Sequence, residues 1–193
     1  MRRLARVAAA ALTTAAATSA LSGPVSAAPT YDGPVEDYAS YEPQERCRDT
    51  ARPGTRELAG WIDARFSGGS ALASVRACSS GGTSEHKDGR AIDWSMDAAD
   101  RDQRREVRRF LGKLFATDAG GNPHALARRM GIMYVIWNDH SWASYDRFAR
   151  EDYRNASCAQ VSTCSATLRH RDHVHISLSR AGGGADTSWY ERG

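Results

Sequence analysis

In residues 173–179, HVHISLS, apolar and polar side chains alternate without exception. An extended chain sends successive side chains to opposite sides. Val174, Ile176 and Leu178 therefore line one face, and His173, His175, Ser177 and Ser179 the other. Such a segment is a strand with one face in the core, and it commits the chain to a sheet. Its second face carries two imidazoles side by side. Half-burying them there is unfavourable unless their ring nitrogens find partners, and a metal ion is one such partner.

A second polar cluster lies upstream in SEHKDGRAIDWSMD, residues 84–97. His86 and Asp93 stand seven residues apart, Gly89 lets the chain reverse between them, and Asp93 falls at the start of an expected strand. Two histidines and one carboxylate make a donor set that zinc accepts tetrahedrally, with a fourth place left open. His86, Asp93 and one histidine of the H-x-H pair are thus the candidate ligands.

The rest of the chain reads as helices and strands in alternation. TRELAGWIDARF follows Pro53-Gly54 and sets Leu58, Trp61, Ile62 and Phe66 at helical spacing, with Thr55 as the cap. RDQRREVRRFLGKLFA is the clearest helix, with Val107, Phe110, Leu111, Leu114 and Phe115 on one face and a solvated basic surface on the other. PHALARRM, opened by Asn122-Pro123, is a short helix that Gly131 ends. ALASVRAC and IMYVIWN read as strands, and 138–168 as irregular. Trp94 and Trp137 are expected in the core. Trp142, beside His140, is expected to shape a groove wall, and His124 and His140 to be surface or cap residues. The pattern predicts an α+β fold, a small antiparallel sheet with helices packed on one side.

The N-terminus, MRRLARVAAAALTTAAATSAL followed by VSAAPT, has the basic, apolar and small-residue regions of a secretory leader over residues 1–27. Its apolar stretch is too short for a stable span, and no later run is expected to anchor the chain in a membrane. The expected product is a secreted protein of the extracellular space or cell wall. Residues 28–46 read as a linker or flexible arm, 47–180 as one domain and 181–193 as a flexible tail. Removing Arg2, Arg3 and Arg6 from the 26 Lys and Arg balances the 23 Asp and Glu, so the charge gives no support to nucleic-acid binding. In an oxidising compartment Cys47, Cys78, Cys158 and Cys164 point to two disulfides. The short spacing favours Cys158 with Cys164, leaving Cys47 with Cys78, although three connectivities are compatible with the sequence.

SEHKDGRAIDW matches the S-x-H-x-x-G-x-A-x-D pattern of the LAS metallopeptidases, named for lysostaphin, D-Ala-D-Ala carboxypeptidases and sonic hedgehog, and DHVHIS resembles their downstream strand. With ARRMGIMYVIWN between them, the motifs look like small secreted actinobacterial wall proteins with a carboxypeptidase-like domain. The resemblance covers about 47–180. It implies a hedgehog/DD-peptidase-like fold, zinc held by His86, Asp93 and His175, and His173 as a non-ligating catalytic partner. It offers His170 as a candidate base and Arg76 as a substrate-binding residue. Where relatives place a glutamate base upstream of the last ligand, this chain has His170 and Asp172, so the proton acceptor stays open. Asp172 could instead orient a histidine. The implied activity is a monomeric zinc carboxypeptidase or endopeptidase acting on peptidoglycan stem peptides. The alternative is a zinc-containing wall-binding module without turnover.

Overall fold

A computed structural model describes residue 31 and residues 33–191, so the leader expected over 1–27 lies outside the described residues. The elements in chain order are α1 (Pro53–Arg65), β1 (Ala71–Leu72), β2 (Ala91–Trp94), α2 (Arg101–Leu114), α3 (Ala125–Arg129), β3 (Ile132–Trp137), β4 (His140–Ala143), β5 (Arg150–Asp152), β6 (Val174–Leu178) and α4 (Arg180–Gly184). The fold is α+β, with an open antiparallel sheet of six strands in the order β1-β2-β6-β3-β4-β5.

Register decides what each face of the sheet carries. Ile92 on β2, Ile176 on β6 and Val135 on β3 stand opposite one another, and Trp94 faces Val174. These side chains join Leu58 and Ile62 of α1 and Val107, Phe110 and Leu114 of α2 in one buried cluster. Burying each large apolar side chain contributes ~1.5–3 kcal/mol, which makes this cluster the main source of stability. One register step away, Asp93 stands opposite His175. The face turned away from the cluster therefore carries the polar residues. β6 lies between β2 and β3, so all five of its residues are buried and the alternation sorts two buried faces.

Helix ends follow local chemistry. Asp100 caps α2 by accepting from the backbone of Asp102 and Gln103 at 2.7 and 2.9 Å, a contact worth ~1 kcal/mol. The cap of α1 is a correction to the sequence reading. Pro53 opens the helix, and Thr55, one turn inside, donates its hydroxyl to the Gly89 carbonyl at 2.8 Å. A proline has no N–H to satisfy in the first turn, which frees the threonine for a long-range contact.

Four further expectations are corrected. ALASVRAC is a strand only over Ala71–Leu72. The stretch read as irregular contains β4 and β5, which extend the sheet from β3. The tail is packed: α4 lies against α1, and Trp189 is 1% exposed within the core cluster. The arm is likewise tied down. Glu36 accepts from the Ser188 hydroxyl at 3.0 Å, and the Glu42 carbonyl accepts from Arg90 at 2.8 Å. Arg and Glu at these positions carried no periodicity, so nothing in the letters announced the contacts.

The disulfides are Cys47–Cys78 and Cys158–Cys164, the pairing the short spacing favoured, and they fit an oxidising compartment. Among the described residues no helix is long and apolar enough to cross a membrane.

Candidate metal centre

The turn 85–89 brings His86 to the sheet. Four backbone hydrogen bonds close it upon itself, and its carbonyls at Lys87 and Gly89 accept from Arg48 and Arg52. Gly89 has φ +68°, and a Cβ there would lie 2.8 Å from the Thr50 carbonyl oxygen. Only glycine meets both demands. Beneath the turn, Asp88 accepts from Arg52 at 2.8 Å and from Arg90 at 2.9 Å. Burial pushes the Asp88 carboxyl up, but the hydrogen bonds from the two guanidinium groups outweigh it and hold it below the usual range.

His86 Nε2, Asp93 Oδ1 and His175 Nδ1 form a triangle with each side 3.2 Å. Asp93 and His175 meet because they are cross-strand partners. The outer nitrogens have partners that suit a metal ligand. His86 Nδ1 lies 3.1 Å from the Ser74 carbonyl and 2.9 Å from the Ser74 hydroxyl; with Nδ1 donating to the carbonyl, Nε2 presents a lone pair. His175 Nε2 lies 2.9 Å from the Ser177 hydroxyl. With Nε2 donating there, Nδ1 also presents a lone pair. Two lone pairs and a carboxylate oxygen then converge on one point, an arrangement that repels itself unless a cation lies among them. Tetrahedral zinc at ~2.0–2.2 Å from nitrogen and oxygen donors spaces those donors ~3.3–3.6 Å apart, close to the observed triangle. The three residues could hold a metal ion.

Burial pushes the Asp93 carboxyl up, but without a metal the hydrogen bonds and charges of protonated His175 and His86 rings outweigh it and hold it well below the usual range; a cation among the three donors would take over that role. Burial lowers His175, which favours the neutral form that a ligand needs.

Around the triangle the remaining candidates separate. His173 has Nε2 3.7 Å from Asp93 Oδ1, and its Nδ1 is 2.7 Å from Asp172 Oδ1. Asp172 thus orients His173, while its other oxygen accepts from Thr167. Arg76 sits at the rim, half-exposed, with Nη2 3.7 Å from Asp93 Oδ2. His170 packs behind, its ring 4.8 Å from that of His173 and 5.7 Å from that of His175, with Nδ1 buried and without a hydrogen-bond partner. Burial, then the charges of His175 and His173, push its imidazole down to about 3. Of the other aromatics, Trp94 and Trp137 are core as expected. Trp142 packs on Phe115 at the core's edge rather than lining a groove at the triangle. Ser74, Ser177, Tyr134 and Glu85 were missed. Ser177 is legible as the residue two after His175 on the same face, whereas Tyr134 depends on the β3–β6 register.

The family model that matches this chain is described as VldE, C-terminal domain, and it matches residues 47–162. The chain belongs to that family. The resemblance to the LAS and DD-peptidase group is thereby overturned. The VldE C-terminal domain match includes His86 and Asp93 and ends before His170, His173 and His175. No curated protein and no solved structure matches the chain.

Proposed function

We propose that the protein is a secreted, zinc-dependent hydrolase of peptide bonds. The single observation that carries this reading is the 3.2 Å donor triangle with the Asp172–His173 pair turned toward it. Zinc, when bound, polarises a carbonyl and lowers the pKa of water toward ~7. The protein's own residues supply the rest. Asp172 accepts from His173 Nδ1, which leaves Nε2 as a lone pair facing the centre, able to take a proton from water and return it to a leaving amine. His170, so hard to protonate, is poorly suited to that task and acts as a neutral wall behind the two rings. Arg76, half-exposed at the rim, is placed to bind a substrate carboxylate or the charge that develops on a carbonyl oxygen.

Peptidoglycan stem peptides are the proposed substrate. They lie outside the cell, the compartment that the expected leader and the disulfides fit, and they carry free carboxylates for Arg76. The support no longer includes kinship with wall peptidases. Purified full-length protein should carry about one zinc and release amino acids or peptides from muropeptides, read by mass spectrometry. His173→Gln should keep its zinc and lose ~10²–10⁴ in kcat. Binding to peptidoglycan without cleavage would favour the wall-binding module instead, and full activity in His173→Gln would refute the assigned roles.

A further inference from the structure

On the helix side of the sheet, a cleft of about 530 Å³ opens between the end of α1, the segment after α2, and α3. It shares no residue with the donor triangle. Trp61, Ala125 and Leu126 give it an apolar lining, and Arg65, Lys113 and Arg129 supply three cations. Small-molecule sites have this character, ~300–1,000 Å³ of mostly apolar space with a few charged groups.

The charges distinguish this cleft from the rest of the basic helix surface. Along α2, Arg105 is paired with Asp102 at 3.0 Å, and Arg109 with Glu106. Among the described residues, Arg65, Lys113 and Arg129 are in no ion pair. Arg65 lies over the Trp61 ring and Arg129 over the Tyr31 ring, with Cζ 5.2 and 4.8 Å from the centroids. The single carboxylate of the lining, Asp118, is already occupied. Its Oδ1 accepts from the backbone of Gly120 and Asn122 at 2.9 Å, and both of its oxygens accept from the Asn122 amide at 3.1 Å. Arg129 is the cation that most needs a partner, being 8% exposed. Its guanidinium donates to the Ser188 hydroxyl at 2.8 Å but reaches the Gly33 carbonyl only at 3.4 Å, and Glu36 is linked to it only through Ser188. A buried guanidinium is unfavourable unless its donors meet acceptors, and a carboxylate matches its planar fork. We propose that this cleft is a second binding site, for an organic carboxylate with an apolar body: the body lies against Trp61 and Leu126, and the carboxylate among Arg65, Lys113 and Arg129.

The inference rests on neither the metal nor the reaction. Fatty and aryl acids share the chemistry, so calorimetric titration of the full-length protein uses laurate and 2-naphthoate. At least one should show a single saturable site, and the tighter acid identifies the body that fits. Dodecylammonium, with a comparable tail and the opposite charge, should bind at least ~10-fold more weakly. Arg65→Gln and Lys113→Gln, both at exposed positions, should each weaken the acid ~2–5-fold. Ala116→Trp, which fills the cleft from the exposed segment after α2, should abolish binding. All three variants should keep the metal content of the wild type, whatever that is. Failure of both acids to bind, the result if a second copy or the chain ahead of Tyr31 fills the cleft, overturns the proposal. So does dodecylammonium bound as tightly as the better acid, or binding that survives Ala116→Trp.

Discussion

Replacing Asp88 with alanine tests how the turn that carries His86 is held. Asp88 and Arg90 are 1% and 0% exposed, and the carboxylate meets Arg52 and Arg90 at 2.8 and 2.9 Å. The substitution leaves the Arg90 guanidinium buried, hydrogen-bonded to the carbonyls of Leu178 and Glu42, with the nearest remaining carboxylate, Glu42, at 4.0 Å. Breaking one side of a buried pair costs about 3–5 kcal/mol, out of a total stability of about 5–15. For a chain of this size that corresponds to a loss of ~6–20 °C in melting temperature. Removing the fully buried pair, as in Asp88→Leu with Arg90→Met, should recover much of the loss, because the charge left without its carboxylate, on Arg52, is partly exposed and still donates to the backbone carbonyl of residue 88. Asp88 has a depressed folded pKa. Its contribution is therefore complete above the unfolded value of ~3.9 and disappears as pH falls through the lower folded one. Thermal and urea unfolding of the single and double variants measures these effects, and zinc titration should show weakened binding in Asp88→Ala through the displaced His86. A single variant within ~1 kcal/mol of wild type, or a double variant worse than the single, would refute the reasoning.

The two disulfides should contribute unequally. Their sequence separations are 31 and 6, so loop-closure entropy assigns about 3.7 kcal/mol to Cys47–Cys78 and about 2.2 to Cys158–Cys164. Paired serine variants compared by urea unfolding check the order, and equal losses would contradict it. The metal-free protein should lose stability as pH falls from about 6.5 toward about 3, because the buried His170 resists a proton that the unfolded chain accepts. His170→Leu should flatten that limb in a pH series of melting temperatures, and an unchanged limb would show that His170 is not its source.

How much of this was legible in the sequence depended on range. The faces of β6 and of α2 could be read because alternation and 3.6-residue spacing are local properties. Gly89 and Asp93 could be read because a reversal and a rigid ligand impose residue types over a few positions. The packed tail and arm could not, since Trp189 and Glu36 find their partners through contacts dozens of residues away. The placing of Tyr134 beside Ser177 was hidden for the same reason: the two pair only after the irregular step in register between Ile132 and Tyr134.

The overturned resemblance has a physical reading. His86 in a turn, a glycine at φ +68°, Asp93 on a strand and His175 directly across from it are what an antiparallel sheet needs to bring three donors within 3.2 Å. Any chain that builds such a centre on such a sheet is driven toward the same letters at similar spacing. Those letters report ligand geometry, and they say little about descent or about the group that moves the proton. The residue expected upstream of the last ligand is where this chain departs from the resembled pattern: Asp172 stands in place of the glutamate and hydrogen-bonds His173 Nδ1 at 2.7 Å, while His173 Nε2 lies 3.7 Å from Asp93. Asp172→Asn tests the proposed role of that pair: it should lower turnover with zinc affinity intact, and unchanged turnover would refute it.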